Sequence, residues 1–120
     1  NESFDLVVSA STLEHIPEFW LAVKEMHRVL RPGGHMIVAV PGYDDCRTGR
    51  RARRWGARLG LPDIMRRGTV TMRIHEAPYD FYRFSPFAMR EIVMQDMEDV
   101  EVWSIMMPPR LYAAGRKAAR

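Results

Sequence analysis

The sequence predicts an α/β fold with parallel strands, because two apolar runs flank one amphipathic helix. Phe4–Ser9 (FDLVVS) and His35–Val40 (HMIVAV) have the continuous apolar character of strands that are buried on both faces. A strand, a helix and a second strand in succession form a βαβ unit. The two strands of such a unit run parallel, joined by a right-handed crossover.

The helix between these strands is predicted to begin near Pro17, since the missing N–H of proline costs nothing in a first turn. The run Arg31–Gly34 (RPGG) is predicted to end it, because glycine accepts the left-handed C-cap and proline cannot continue a helix. The apolar face of this helix follows helical spacing through Phe19, Ala22, Val23, Met26, Val29 and Leu30.

The rest of the chain is less regular. Residues 44–74 are rich in arginine and weakly periodic, which indicates an insertion outside the sheet. Ser85 and Pro86 form the N-cap and first position of another helix. Val100–Ile105 alternates as a third strand. We therefore expect one domain over residues 1–107.

Residues 108–120 are predicted to form a basic tail in which Leu111–Arg120 begins a helix. The 120 residues allow one modest domain, and no apolar run is long enough to span a bilayer. The single cysteine, Cys46, excludes an intrachain disulfide framework and is typical of a reducing compartment, which predicts a cytoplasmic protein.

The arginines concentrate at the start of the insertion, within a net charge of +3. Such a cluster is typical of a solvated loop, but it also suits a non-catalytic phosphate- or nucleic-acid-binding module. A half-domain that docks on a partner is a further alternative. The cluster consists of Arg47, Arg50, Arg51, Arg53, Arg54 and Arg58.

Four motifs occur in order between Phe4 and Pro41: an F-D-x-V strand, an L-E-H loop, a helix ending L-x-P-G-G, and a strand ending in proline. This stretch resembles the second half of class I methyltransferases of the type 11 methyltransferase domain family. His75–Phe87 (HEAPYDFYRFSPF) resembles a segment of one branch of that family. The resemblance implies a Rossmann-like sheet, with Phe4–Ser9, His35–Val40 and Val100–Ile105 as its fourth, fifth and sixth strands.

The resemblance further implies S-adenosylmethionine as the cofactor and methyl transfer to an unidentified, small-molecule acceptor. The glycine-rich turn and the acidic strand end that hold the cofactor in this family have no counterpart in the sequence. Since the chain begins with Asn1 directly before an apolar strand, we expect the N-terminal half of the domain to be missing and the chain alone to be inactive. Phe4–Ser9 would then form an exposed sheet edge.

By the same resemblance, the loop after the first strand contacts the methionine and sulfonium end of the cofactor, through Ser9, Ala10, Ser11 and Leu13. Small residues there permit close backbone approach. Glu14 and His15 suit an orienting carboxylate and a general base. The alternative for Glu14 is a stabilising position near a helix N-terminus. His75 is a second candidate proton acceptor.

No metal site is expected. Some relatives bind a divalent cation through an E-x-x-E-H pattern, but Ser11 occupies the first glutamate position here, and only His75 and Glu76 offer replacements. Asp5 is expected to bond backbone or a basic neighbour, because a buried carboxylate needs partners.

An acceptor-facing lid is predicted from Tyr79, Tyr82 and Arg83, because aromatic rings exclude water and a fixed guanidinium holds an acidic group. The alternative is a packing motif, with the aromatic rings in the core and Asp80 paired with Arg83 at a turn.

Overall fold

The fold is a four-stranded mixed sheet with its helices on one face. The structure is a computed structural model that describes residues 1–43, 54–60, 79–105 and 110–119. The strands are β1 (Phe4–Ala10), β2 (Leu30–Pro41), β3 (Met97–Ile105) and β4 (Arg110–Lys117). The described helical elements are a 3₁₀ turn (Leu13–His15), α1 (Phe19–Val29), a short helix over residues 54–58, and α2. α2 runs through Pro86–Ala88 and continues as a π-helix over Met89–Val93.

The strand order in the sheet is β1-β2-β4-β3. β1 and β2 are parallel, and Val8 lies beside Ile37 in their register. β4 runs antiparallel to both of its neighbours, β2 and β3. The α/β class and the parallel first pair, both predicted from the sequence, are confirmed. The carboxyl ends of β1 and β2 therefore lie at one edge of the sheet, followed by the loops that begin at Ser11 and Gly42.

α1 packs its predicted apolar face on the sheet. Val23 is buried, and Phe19, Ala22 and Met26 pack against the core beside it. The helix ends at Val29, before the RPGG run, because Leu30 is already extended. Gly33 has the predicted left-handed conformation (φ +77°), but it lies within the irregular start of β2 and not at a helix cap.

α2 begins as the sequence predicts. The Ser85 hydroxyl oxygen accepts a hydrogen bond from the Ala88 N–H at 3.0 Å, and Pro86 occupies the first turn. Met89 and Val93 are fully buried from this helix. α2 thereby covers the same sheet face as α1 and closes the core over β4.

The prediction of a C-terminal helix over Leu111–Arg120 is wrong, since Arg110–Lys117 forms β4. The inward positions of this strand are Leu111, Ala113 and Gly115, which are all buried. Two of these three residues are small, so the hydrophobicity along the strand shows almost no period-two alternation. The alanines of this segment favour a helix instead. The small size of Gly115 leaves room for Met94, Met97 and Val100, whose atoms would lie within 3.4 Å of an added Cβ.

β3 is longer than the predicted third strand. It starts at Met97, and its register with β4 shifts between Glu98 and Glu101, where Asp99 has a positive φ of 53°. Such a bulge adds a residue to one strand and interrupts its alternation. The period-two pattern is therefore visible only from Val100 onward.

Phe4, Leu6 and Val8 occupy alternate positions of β1, so their side chains project from one face of the sheet. They are 55%, 51% and 61% exposed, so the prediction that this strand is buried on both faces is wrong. β1 pairs with β2 alone among the described strands and therefore also forms an edge of the sheet. This agrees with the exposed edge that the sequence predicts. Asp5 forms an ion pair with Arg31 at the start of β2, so its predicted basic partner is confirmed, but the Asp5 side chain is exposed and the expected burial is wrong. Within the described ranges, no helix is both long and apolar enough to cross a bilayer.

Candidate active site at the carboxyl ends of β1 and β2

The loop that follows β1 turns sharply and is tied to β2. Ser11 has a left-handed backbone (φ 51°), and its N–H donates to the Ala39 carbonyl at 2.9 Å. The Thr12 hydroxyl donates to the Ala10 carbonyl at 3.1 Å, and Leu13 is buried in the core. The predicted cofactor-contacting loop is thus fixed at both ends, with its small residues at the rim of the sheet.

Glu14 and His15 occupy the 3₁₀ turn just beyond this loop. The Glu14 side chain is completely buried, and its Oε1 lies 3.9 Å from His15 Nε2. This separation exceeds a hydrogen bond. His15 Nδ1 lies 3.2 Å from the Tyr79 carbonyl oxygen, so a ring protonated at Nδ1 donates to it. In that tautomer Nε2 carries the lone pair that a general base needs.

A segment from Tyr79 to Phe84 bridges the loops that follow β1 and β2. The Phe81 N–H donates to the Glu14 carbonyl at 2.8 Å. At its other end, the Phe84 N–H donates to Pro41 at 3.1 Å, and the Phe84 carbonyl accepts from Tyr43 at 2.7 Å. We call residues 79–84 the bridging segment. It brings residues far apart in sequence together at the carboxyl edge of the sheet.

Asp80 and Arg83 form the charged pair that the packing alternative described. The guanidinium donates to the two carboxylate oxygens at 2.5 and 2.6 Å, and the side chains are only 8% and 16% exposed. The hydrogen bonds from Arg83 to Asp80 raise the pKa of Arg83, and the negative charge of Glu14 adds to this effect. Arg83 therefore remains charged and is held in place by its own neighbour.

The aromatic rings of the bridging segment divide between core and surface. Tyr82 packs edge-on against Phe19 with ring centroids 5.1 Å apart, and its hydroxyl donates to the Pro17 carbonyl at 2.5 Å. Tyr79 and Phe81 are instead 76% and 49% exposed. Of the predicted lid residues, Tyr79 is thus the one that presents its ring to solvent, and assignment of substrate contacts to Tyr79, Tyr82 and Arg83 stays a prediction.

Tyr82→Phe is expected to lower the free energy of unfolding by about 1 kcal/mol, since it removes one hydrogen bond and leaves the Pro17 carbonyl without that donor. Urea denaturation measures the change. Tyr79→Phe, in the same segment but with an exposed ring, is the control and should have no measurable effect. Equal losses for the two variants would show that the Tyr82 hydroxyl does not anchor the segment to α1.

Several predicted residues lie outside the described part of the chain: His75, Glu76 and all of the arginine cluster except Arg54 and Arg58. Those two arginines are exposed in a short helical turn over residues 54–58. Among the described residues, no group of His, Cys, Asp or Glu side chains is arranged to hold a metal ion. The expectation of no metal site stays a prediction.

Two residues of this edge were not identified from the sequence. Arg110, the first residue of β4, donates through its guanidinium to the Ser11 hydroxyl oxygen. Gly42 lies where a Cβ would be 2.5 Å from the Phe84 carbonyl oxygen and from a Leu111 methyl group. The Pro41-Gly42 pair that ends β2 was a signal for Gly42, whereas nothing local marks Arg110, which is 99 positions from its partner.

Comparison with known proteins identifies this architecture. Residues 1–38 match the family profile described as a methyltransferase domain, of type 11. The match covers the βαβ unit, which is less than half of the 120-residue chain. It confirms the family resemblance of the βαβ unit, and it contains β1, the L-E-H turn, α1 and most of β2.

Solved methyltransferases share the fold of this domain over nearly its whole length. The N-methyltransferase NodS from Bradyrhizobium japonicum, in complex with S-adenosyl-L-homocysteine, matches 97% of the chain with a TM-score of 0.55 and 20% identity. Phosphoethanolamine N-methyltransferase 2 from Haemonchus contortus, in complex with S-adenosyl-L-methionine, matches 98% with a TM-score of 0.61 and 14% identity. The aligned region covers 47% and 34% of those two chains.

Sequence relatives match about a third of this chain. Demethylmenaquinone methyltransferase from Staphylococcus epidermidis is 46% identical over 37 residues, which are 31% of this chain and 15% of that enzyme. The enzyme of the same name from Lysinibacillus sphaericus is 35% identical over 49 residues, covering 36% of this chain and 21% of its own. The matched region is therefore a small part of these relatives.

Proposed function

We propose that this domain contributes to S-adenosylmethionine-dependent methyl transfer to a small-molecule acceptor at the carboxyl edge of β1 and β2. The observation that carries the proposal is the convergence of the Ser9–Leu13 loop and the bridging segment at this edge. In open α/β sheets, ligands bind outside the carboxyl ends of the strands. S-adenosylmethionine supplies an already activated methyl group, so the protein has chiefly to align the reactants and exclude water.

The residues of the loop after β1 fit the cofactor role. Ser9, Ala10 and Ser11 are small, and the left-handed turn at Ser11 takes the backbone away from the strand direction at the rim. Leu13 anchors the loop in the core. Backbone groups of such a loop can approach a ligand closely and keep their geometry, because Ser11 and Thr12 are hydrogen-bonded locally.

The bridging segment fits the acceptor side. Tyr79 presents an exposed ring next to the carbonyl that contacts His15. The Arg83 side chain is fixed by its ion pair with Asp80. We therefore propose that Arg83 attracts an acidic acceptor through its positive charge and does not move to bind it. An acceptor lying between Tyr79 and the Ser9–Leu13 loop would be within reach of His15, the candidate base.

We further propose that additional strands, supplied by the N-terminal half of the same domain, extend the sheet beside β1. The 120-residue chain alone is then inactive. β1 pairs with β2 alone among the described strands, which leaves an open edge that is unfavourable in water. The exposed side chains of Phe4, Leu6 and Val8 leave one sheet face without a covering layer, which also supports a larger domain. A single cysteine, Cys46, suits a reducing cytoplasm as the location of the reaction.

Equilibrium dialysis with methyl-labelled S-adenosylmethionine tests the proposal. The 120-residue chain and a longer natural protein that contains it are compared at equal concentration. We expect retention of label by the longer protein and little by the chain alone. Failure of the longer protein to bind contradicts the proposed function, whereas equally tight binding by the chain alone contradicts only the need for further strands.

His15→Gln is expected to reduce the methyl-transfer rate by about tenfold with little change in affinity for S-adenosylmethionine. A general base usually contributes a larger rate factor. We expect a smaller one here because the methyl donor is already activated, so the rate depends less on removing a proton from the acceptor. Single-turnover transfer to an amine or hydroxyl acceptor, measured across pH, checks it. His35→Gln, on β2 away from the edge, is the control. An unchanged rate and pH profile in His15→Gln would remove His15 from the reaction.

A further inference from the structure

Ser11 occupies an unusual position for a residue expected to contact a cofactor. Its backbone lies in the left-handed region (φ 51°), which serine adopts less readily than glycine. The Ser11 N–H is bonded to the Ala39 carbonyl near the end of β2 at 2.9 Å. One backbone bond fixes the loop toward β2, but it does not by itself fix the direction of the side chain.

Arg110 provides a second interaction that holds Ser11 in place. It begins β4, where it lies opposite Pro41 of β2 and Ile105 of β3, so its backbone is held between two strands. From there its guanidinium donates to the Ser11 hydroxyl oxygen. Within the part of the chain that the structure describes, Arg110 forms no ion pair with a carboxylate, and its charged donor is therefore directed at the loop.

We infer that Arg110 is a positioning residue, which holds the Ser9–Leu13 loop in its cofactor-binding shape from the far side of β2. The inference rests on the proposed function, because it assigns Arg110 a part in binding S-adenosylmethionine. A charge-assisted hydrogen bond is stronger than a neutral one and restrains both partners. The affinity of the Ser9–Leu13 loop for S-adenosylmethionine then depends on Arg110, the first residue of β4.

The test is a double-mutant cycle in the protein that retains S-adenosylmethionine in the dialysis experiment. Its variants are Arg110→Met, which keeps an unbranched apolar side chain but removes the guanidinium, Ser11→Ala, and both together. We expect Arg110→Met to weaken binding about tenfold, as loss of a hydrogen bond to a charged group implies. In the Ser11→Ala background, the same change should add little, because the two side chains act as one unit.

Arg116→Met is the matched control. Arg116 lies on the same strand, but its guanidinium pairs with Glu98 and Asp99 at the opposite end of the sheet. Arg116→Met should leave the affinity for S-adenosylmethionine unchanged. Arg110→Lys should retain part of the affinity that Arg110→Met loses. Equal effects of Arg110→Met and Arg116→Met, or full additivity with Ser11→Ala, would overturn the positioning role.

Hydrogen exchange at the Ser11 amide separates this inference from the proposed function, because it needs no ligand. We expect faster exchange of that amide in Arg110→Met and unchanged exchange in Arg116→Met. If exchange accelerates but even the unmodified protein binds no S-adenosylmethionine, the proposed function fails and the assignment to cofactor binding fails with it. If binding is intact but neither exchange nor affinity responds to Arg110→Met, the inference alone fails.

Discussion

Gly42→Ala is expected to lower the free energy of unfolding by about 3 kcal/mol, because the new methyl group has no space. Its Cβ would lie 2.5 Å from the Phe84 carbonyl oxygen and 2.5 Å from a Leu111 methyl carbon. The carbonyl is backbone and is already bonded to the Tyr43 N–H. Relief therefore requires the bridging segment to move away from β2, and urea denaturation measures the resulting loss of stability.

Gly115→Ala is the comparison for this prediction. The added Cβ would meet the Met97 Cβ at 3.1 Å and atoms of Met94 and Val100 at 3.4 Å, so each contact is longer than the 2.5 Å approaches at Gly42. We expect a clearly smaller loss than in Gly42→Ala. A Gly42→Ala protein as stable as the Gly115→Ala protein would show that the bridging segment does not lie tightly against the end of β2.

Asp80→Asn is expected to cost about 2 kcal/mol, because it leaves the largely buried guanidinium of Arg83 without its carboxylate. Asparagine keeps the shape of the side chain, so the loss reports on charge more than on packing. The same change should alter the order of the bridging segment, which proteolysis within residues 79–84 detects. Chemical denaturation gives the stability difference.

Glu25→Gln provides a matched control with the same i, i+3 spacing. Glu25 accepts from Arg28 at 2.7 Å, and this hydrogen bond lowers the pKa of Glu25, but both side chains are exposed on α1. An exposed ion pair contributes little to stability, so we expect no measurable change. If Asp80→Asn were equally neutral, the pair would not hold the bridging segment in place.

The regular elements near the N-terminus were predictable from the sequence. β1 and the His35–Val40 part of β2 are continuous apolar runs, and α1 has an apolar face at helical spacing. The earlier start of β2, at Leu30, was not predicted. Each signal is local and agrees with the tertiary context, which is why the parallel pair follows from the pattern alone. The N-cap at Ser85 was predictable for the same reason, since its hydrogen bond is made within the first turn.

The missed features depend on contacts between distant residues. The alternation of β4 is weak in the sequence because two of its buried residues, Ala113 and Gly115, are small. The contact between Arg110 and Ser11 exists only because β4 inserts between β2 and β3. For Arg83 the sequence left two alternatives open, an ion pair with Asp80 and contact with a substrate. The structure shows the ion pair, with both side chains largely buried.

Mapping S-adenosylmethionine binding by amide chemical shifts tests the central claim most directly. The isotope-labelled longer protein is titrated with the cofactor, and shift changes are followed residue by residue. We expect the largest changes at residues 9–13 and in the bridging segment, with little change at Asp96 and Lys117 at the opposite end of the sheet. Changes concentrated at that opposite end, with residues 9–13 unaffected, would contradict a cofactor site at the carboxyl edge of β1 and β2.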